Sequence, residues 1–150
     1  MATPAQFRSQ ARPVTTPVNA SASSPKRPSA SSNVLNVVAS VALSVCAPGP
    51  HDNCVVDGDT FWISGEKVRI ADIDAPEMDG RCPYESRLAV TSRDRLRQLL
   101  NSGEFKLHRE GRDRYGRTLA VVTIDGYSVG DALVSEGLAR TWTGRREPWC

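Results

Sequence analysis

Lys67-Val68-Arg69-Ile70-Ala71-Asp72-Ile73-Asp74-Ala75-Pro76-Glu77 is the stretch on which the reading of the fold turns. Its first half alternates, with Val68 and Ile70 on one side and Lys67 and Arg69 on the other. That is the period-two pattern of a strand with one face in a core. The alternation slips at Ala71-Asp72 before Ile73, which predicts a bulge or a strand end, a device common beside active sites. Upstream, Cys54-Val55-Val56 and Thr60–Ile63 are β-branched or aromatic runs parted by the turn dipeptide Asp57-Gly58. Ser64-Gly65-Glu66 makes a hairpin connection into Lys67. Downstream, Pro83 suits the first position of a helix running to about Leu100. Leu88, Leu96, Leu99 and Leu100 form its expected apolar stripe, with Arg87, Arg93, Arg95 and Arg97 on a solvated face, and Asn101-Ser102-Gly103 ends it. Residues 105–108 and 118–124 read as two further strands. Ser128 with Asp131 resembles the cap of a short helix reaching residue 136, stopped by Gly137. Periodicity alone therefore gives one small α+β domain.

The chain has 150 residues, with 19 Lys and Arg against 17 Asp and Glu. Residues 1–50 contain no acid, four bases (Arg8, Arg12, Lys26, Arg27) and seven of the 10 prolines. Through residue 33 such a composition cannot bury enough apolar surface to offset its ordering entropy, and a disordered tail is expected. All 17 acids fall in residues 51–150 beside the remaining 15 bases, so the folded part carries about −2. That excludes a broad positive field; any attraction for phosphate must be local.

Residues 34–45 are mostly apolar and free of charge, too few to span a bilayer as an ordinary helix. The segment 34–47 has two readings. It is a signal-peptide core, with Lys26 and Arg27 upstream and a small-residue cleavage site around Val45-Cys46-Ala47, which implies a secreted or periplasmic protein. Alternatively, residues 43–46 are a first, edge strand behind a flexible tail or a start placed too early, which leaves a cytoplasmic protein. The main domain is expected over 48–150.

Four cysteines permit three pairings if all are bridged. Cys46 and Cys54 flank a turn-rich loop, which leaves Cys82 for Cys150; the competing reading is four reduced thiols. An even count in a small domain favours an oxidising compartment. No Cys-x-x-Cys pair or histidine cluster offers a zinc site. His51 and His108 lie outside every motif, and no nucleophilic triad, P-loop or dinucleotide fingerprint is present.

Three motifs carry chemistry: Asp57-Gly58-Asp59-Thr60, Arg69 through Asp74-Ala75-Pro76-Glu77, and Asp113-Arg114-Tyr115-Gly116-Arg117. Aspartates supply the oxygen ligands that hard divalent cations take. Arginines supply forked donors for phosphate oxygens. A further glutamate is then free to act on water, and together these are the parts needed to cut a phosphodiester.

From about Cys54 to about Thr143 the chain resembles the staphylococcal-nuclease-like, or thermonuclease, family, on D-G-D-T, R-x-x-x-x-D-x-P-E and D-x-Y-G-R in that order. The resemblance implies a five-stranded OB-type Greek-key β-barrel with about two helices. It implies a calcium-dependent endonuclease that hydrolyses DNA and RNA, single- or double-stranded, with little sequence preference. Water attacks phosphorus and the 5′-oxygen leaves, giving 3′-phosphorylated products. Ca²⁺ would be held by Asp59, Asp74 and the backbone carbonyl of Ala75. Arg69 and Arg117 would bind phosphate, Glu77 would act as general base or position the water, and Arg114 and Tyr115 would touch substrate. Asp57 reads as an Asx-turn residue or a carboxylate behind the ligands. No obligate protein partner is called for, and a monomer is expected. The chain departs from the family in three places: the loop after Glu77 is short and carries Cys82, Trp142 is the nearest aromatic where a base-stacking tyrosine would stand, and residues 145–150 replace a long final helix. Base preference is therefore not implied. The alternative is a non-catalytic OB-type module that binds nucleic acid or protein. Such modules typically lose the site acids and arginines, all five of which stand here.

Overall fold

The computed structural model describes residues 36–38 and 41–150. The tail expected over 1–33 lies outside the described residues. Within the segment read as signal core or first strand, two short strands occur: β1 (Asn36–Val38) and β2 (Ser44–Val45). The strands that follow are β3 (Cys54–Asp57), β4 (Thr60–Ile63), β5 (Glu66–Ile70) and β6 (Ile73–Asp74). Helix α1 (Pro83–Leu100) leads to β7 (Phe105–Arg112), β8 (Thr118–Ile124) and β9 (Tyr127–Ser128), then α2 (Val129–Ser135) and β10 (Arg140–Thr141).

The five strands expected from sequence are β3, β4, β5, β7 and β8, and they lie side by side in the order β7-β8-β5-β4-β3. The β3–β4 and β4–β5 pairs are antiparallel, whereas β5 runs parallel to β8. The sheet is mixed and carries two helices, an α+β fold. It does not close into the expected five-stranded ring. β1 pairs the outer edge of β7 and β2 runs parallel along the outer edge of β3, so both edges that closure would join are already hydrogen-bonded. The Cys46–Cys54 disulfide fastens β2 to β3. A separate ribbon joins β6 to β10.

Local chemistry explains the elements. Ser64 and Gly65 both have positive φ, 49° and 79°, as a two-residue hairpin turn of the twist-matched type requires. The slip read at Ala71-Asp72 is a strand end: β5 stops at Ile70 and the chain turns before β6. Ser128 caps α2 by accepting the Asp131 N–H at 3.0 Å. Pro83 does open α1, but the buried face of that helix keeps only Leu96 and Leu100 of the predicted leucine stripe. Glu85, Ala89, Ser92, Leu96 and Leu100 face inward, while Leu88 and Leu99 are only half-buried. A small residue is needed at Ser92 because the β3–β4 turn packs against the helix there. A Cβ added at Gly58 would lie 1.9 Å from the Ser92 hydroxyl and 2.9 Å from the Ala75 methyl. The core between sheet and helices holds Val55, Phe61, Val68, Ile70, Leu96 and Leu107, all fully buried. Phe61 meets Phe105 edge-on with centroids 5.9 Å apart, a geometry worth about 0.5–1.5 kcal/mol beyond area burial.

Candidate active site

Strand register assembles the motifs. Thr60 pairs with Arg69 across β4 and β5. Val68 and Arg69 pair with Thr118 and Leu119 across β5 and β8. Asp59, just ahead of β4, and Arg117, just ahead of β8, are thus brought to either side of Arg69 on β5. The β6–β10 ribbon places Asp74 opposite Arg140, and the Trp142 N–H donates to the Asp72 carbonyl at 2.9 Å. Asp57, Asp59, Arg69, Glu77, Arg117 and Trp142 line one cleft of about 800 Å³, which Arg114 and Tyr115 also border. Asp74 and Ala75 are buried, 2% and 1% exposed.

The acidic side is short of cations. Asp57 Oδ1 accepts the Asp59 N–H at 3.2 Å, an Asx turn. Burial first, and then the neighbouring Asp59 charge, push the Asp57 carboxyl up to about 8. Asp59 accepts the Thr60 hydroxyl at 2.9 Å and the Ala75 N–H at 3.0 Å. Neither oxygen of Asp74 accepts a hydrogen bond. Its nearby cations are Arg146, with Nη1 at 3.1 Å, and Arg69, with Nη2 at 3.9 Å. Burial raises the Asp74 carboxyl above its ordinary value, against the pull of Arg146. A buried carboxylate without donors is costly unless a cation meets it. The Asp59 and Asp74 carboxylates with the Ala75 carbonyl offer the oxygen set that hard cations take. Side chains alone would not suffice: no cluster of three or more His, Cys, Asp or Glu suited to a metal occurs among the described residues.

The basic side is held rigidly. Arg69 Nη1 donates to the Ile73 carbonyl at 2.8 Å and also to the Ile70 carbonyl. Its Nη2 lies 3.6 Å from Asp59, and the guanidinium sits 5.7 Å from the Trp142 ring centroid. Trp142 is 38% exposed and walls the cleft. Asp113 organises the other arginine. Its Oδ2 accepts Arg117 Nε at 2.6 Å, and its Oδ1 accepts the N–H of Tyr115 at 2.9 Å and of Arg117 at 3.0 Å. Burial, the largest single influence, raises Asp113, but the Arg117 side chain and the Arg117 and Tyr115 N–H groups together outweigh it and the carboxyl lies below its ordinary value. Gly116 takes φ +82°, which a side chain there would resist. Tyr115 projects 74% exposed, with the Arg114 and Arg117 guanidiniums 5.8 and 5.3 Å from its ring centroid.

Two site residues went unread in the sequence. Glu85 accepts the Glu77 N–H at 2.9 Å and the Arg81 N–H at 3.0 Å, pinning both ends of the loop that carries Glu77. The Glu77 N–H, the larger influence, and the Arg81 N–H hold its carboxyl below the ordinary value despite burial. A signal existed: with Pro83 opening α1, Glu85 occupies the third helical position, where acids reach back to preceding N–H groups. Arg146 had none. Its Nη1 is 2.8 Å from Glu77 Oε2, and its Nη2 donates to the Ala75 carbonyl at 3.3 Å. The Cys82–Cys150 disulfide returns that end of the chain to the loop after Glu77.

The profile of a family described as staphylococcal nuclease homologue matches residues 67–148. Over 92 residues the chain is 38% identical to endonuclease YncB of Bacillus subtilis, covering 57% of this chain and 44% of that protein. It is 34% identical over 105 residues to an uncharacterized endonuclease of Haemophilus influenzae, 65% of this chain and 56% of that one. It is 35% identical over 92 residues to the thermonuclease of Staphylococcus intermedius, 57% and 55% respectively. The matches span about half the length of these relatives.

Proposed function

The chain belongs to the staphylococcal nuclease family, and from that premise we propose that it is a calcium-dependent endonuclease hydrolysing phosphodiester bonds of DNA and RNA to 3′-phosphorylated products. The observation that carries the reading is the gathering of Asp59, Arg69, Glu77 and Arg117 around one cleft, with Asp74 buried 3.9 Å from Arg69. The five adjacent strands β3, β4, β5, β7 and β8 are the counterpart of the family's five-stranded OB-type barrel.

Asp59, Asp74 and the Ala75 carbonyl would hold Ca²⁺, which supplies positive charge beside the scissile phosphate. Arg69 and Arg117 bind the phosphate's non-bridging oxygens. Because both guanidiniums are fixed beforehand, they stabilise the charge that grows on those oxygens more than the charge already there. Glu77, exposed on the cleft, orients a water and accepts its proton as the oxygen attacks phosphorus. The P–O5′ bond breaks and the leaving oxygen takes a proton from solvent. Tyr115 and Arg114 flank the sugar and base. A monomer acting on nucleic acid alone satisfies this scheme. The two disulfides support a secreted or periplasmic location.

The test is cleavage of single-stranded DNA by purified protein with Ca²⁺ and with a chelator. Cleavage should require Ca²⁺, and Arg69→Ala or Arg117→Ala should lower the rate by about 10²–10³ while the protein stays folded. Near-wild-type cleavage by either variant would overturn the assignment, and binding without cleavage would replace the enzyme with a binding module.

A further inference from the structure

We propose that Arg146 is a further residue of the metal site, a tethered internal cation that occupies the Ca²⁺ ligands and must be displaced for the ion to bind. The inference rests on the metal reading above. One guanidinium touches Asp74 Oδ1 at 3.1 Å, the Ala75 carbonyl at 3.3 Å and Glu77 Oε2 at 2.8 Å. Two of the three groups assigned to Ca²⁺ are therefore engaged by the same side chain, and so is the glutamate assigned to the water. Arginine and the ion answer the same shortage of positive charge around a buried carboxylate, and the two cannot satisfy it at the same oxygens together. Among the described residues, what the Arg146 guanidinium meets is Asp74, the Ala75 carbonyl and Glu77.

The arm is built to return. Arg146 lies four residues before Cys150, whose disulfide to Cys82 anchors it next to the Glu77 loop. Between them the strap is clamped again: Arg140 donates to the carbonyls of Glu147 at 3.0 Å and Pro148 at 2.8 Å, and lies 3.8 Å from the Trp149 ring centroid. A short tether gives the guanidinium an effective concentration on the order of millimolar at these oxygens. It is also 44% exposed, so it can leave without unpacking a core. A second cleft of about 350 Å³ borders it, lined by Asp79 and Glu147 among others, and offers carboxylates to the displaced charge.

The experiment is calorimetric titration of Ca²⁺ into substrate-free protein, comparing wild type with Arg146→Gln, Arg146→Lys and Asp74→Asn. Removing the competing charge should tighten Ca²⁺ binding roughly three- to tenfold in Arg146→Gln, the range expected for a partly exposed ion pair made twice over. Arg146→Lys, which keeps the charge, should stay close to wild type. Cys82→Ser with Cys150→Ser should also tighten binding, and adding Arg146→Gln to it should give less further gain than in the bridged protein. Unchanged or weaker Ca²⁺ binding in a folded Arg146→Gln protein overturns the proposal, as does equal tightening by Arg146→Lys. The two readings fail separately: if Asp74→Asn leaves Ca²⁺ affinity untouched the metal assignment itself falls, whereas weakening by Asp74→Asn without tightening by Arg146→Gln sinks only the role of Arg146.

Discussion

Glu85→Gln is the substitution that best isolates how the fold holds its reactive loop. The wild-type carboxylate is 4% exposed and accepts two backbone N–H groups, Glu77 at 2.9 Å and Arg81 at 3.0 Å. A glutamine keeps the volume but turns one oxygen into an NH₂ that confronts one of those donors. Hydrogen bonds to a charged partner contribute about 1.5–3 kcal/mol each. One is lost and the other becomes neutral, so destabilisation of about 2–3 kcal/mol follows. For a domain of this size that lowers the melting temperature by roughly 10 °C. The effect carries a pH signature. Because the folded carboxyl lies below its ordinary 4.5, its contribution is complete above that value and is lost as pH falls through the lower folded one. The gap between wild type and variant should be widest near neutrality and close on acidification. Cleavage should fall as well, since Glu77 loses its backbone anchor and an ångström of misplacement can cost about 10²-fold. Thermal melts from acid to neutral pH, with cleavage assays on the same preparations, measure both. A variant melting within a degree or two of wild type at neutral pH would refute the reasoning.

Gly58→Ala should cost about 1–3 kcal/mol by overpacking and weaken Ca²⁺ binding, because the new methyl displaces Ser92 and Ala75; a denaturant melt and a Ca²⁺ titration check this, and an unchanged midpoint counts against it. Reducing the Cys82–Cys150 bridge, which spans a sequence separation of 68, should remove roughly 4 kcal/mol on the chain-entropy account. The variant with both cysteines changed to serine should show the same loss in a thermal melt, and equal stability of the two forms would contradict it. Asp59→Asn and Asp74→Asn should each weaken Ca²⁺ binding in calorimetry, since each removes a charged oxygen.

Much of this protein is legible residue by residue. The alternation in 67–70, the turn dipeptides, Pro83 at the head of a helix and Ser128 as a cap are short-range signals, and each element stands where its signal lies. The motif residues that line the cleft were legible as candidates for the same reason, because each lies on a strand or within a few residues of one. The helix face was less so. A leucine count cannot reveal that Gly58 comes close enough to α1 to demand a residue as small as Ser92 there.

Period, turn propensity and side-chain type act over a few residues, and they were enough to read β3, β4, β5, β7, β8, both helices and the three motifs from the chain alone. That β1 and β2 take the sheet's edges and leave it open, that Glu85 clamps the Glu77 loop, and that Arg146 meets Glu77 across a separation of 69 residues emerges first in the folded chain. Those outcomes depend on strand register and on a disulfide that brings distant chain together, and no local rule of spacing contains either.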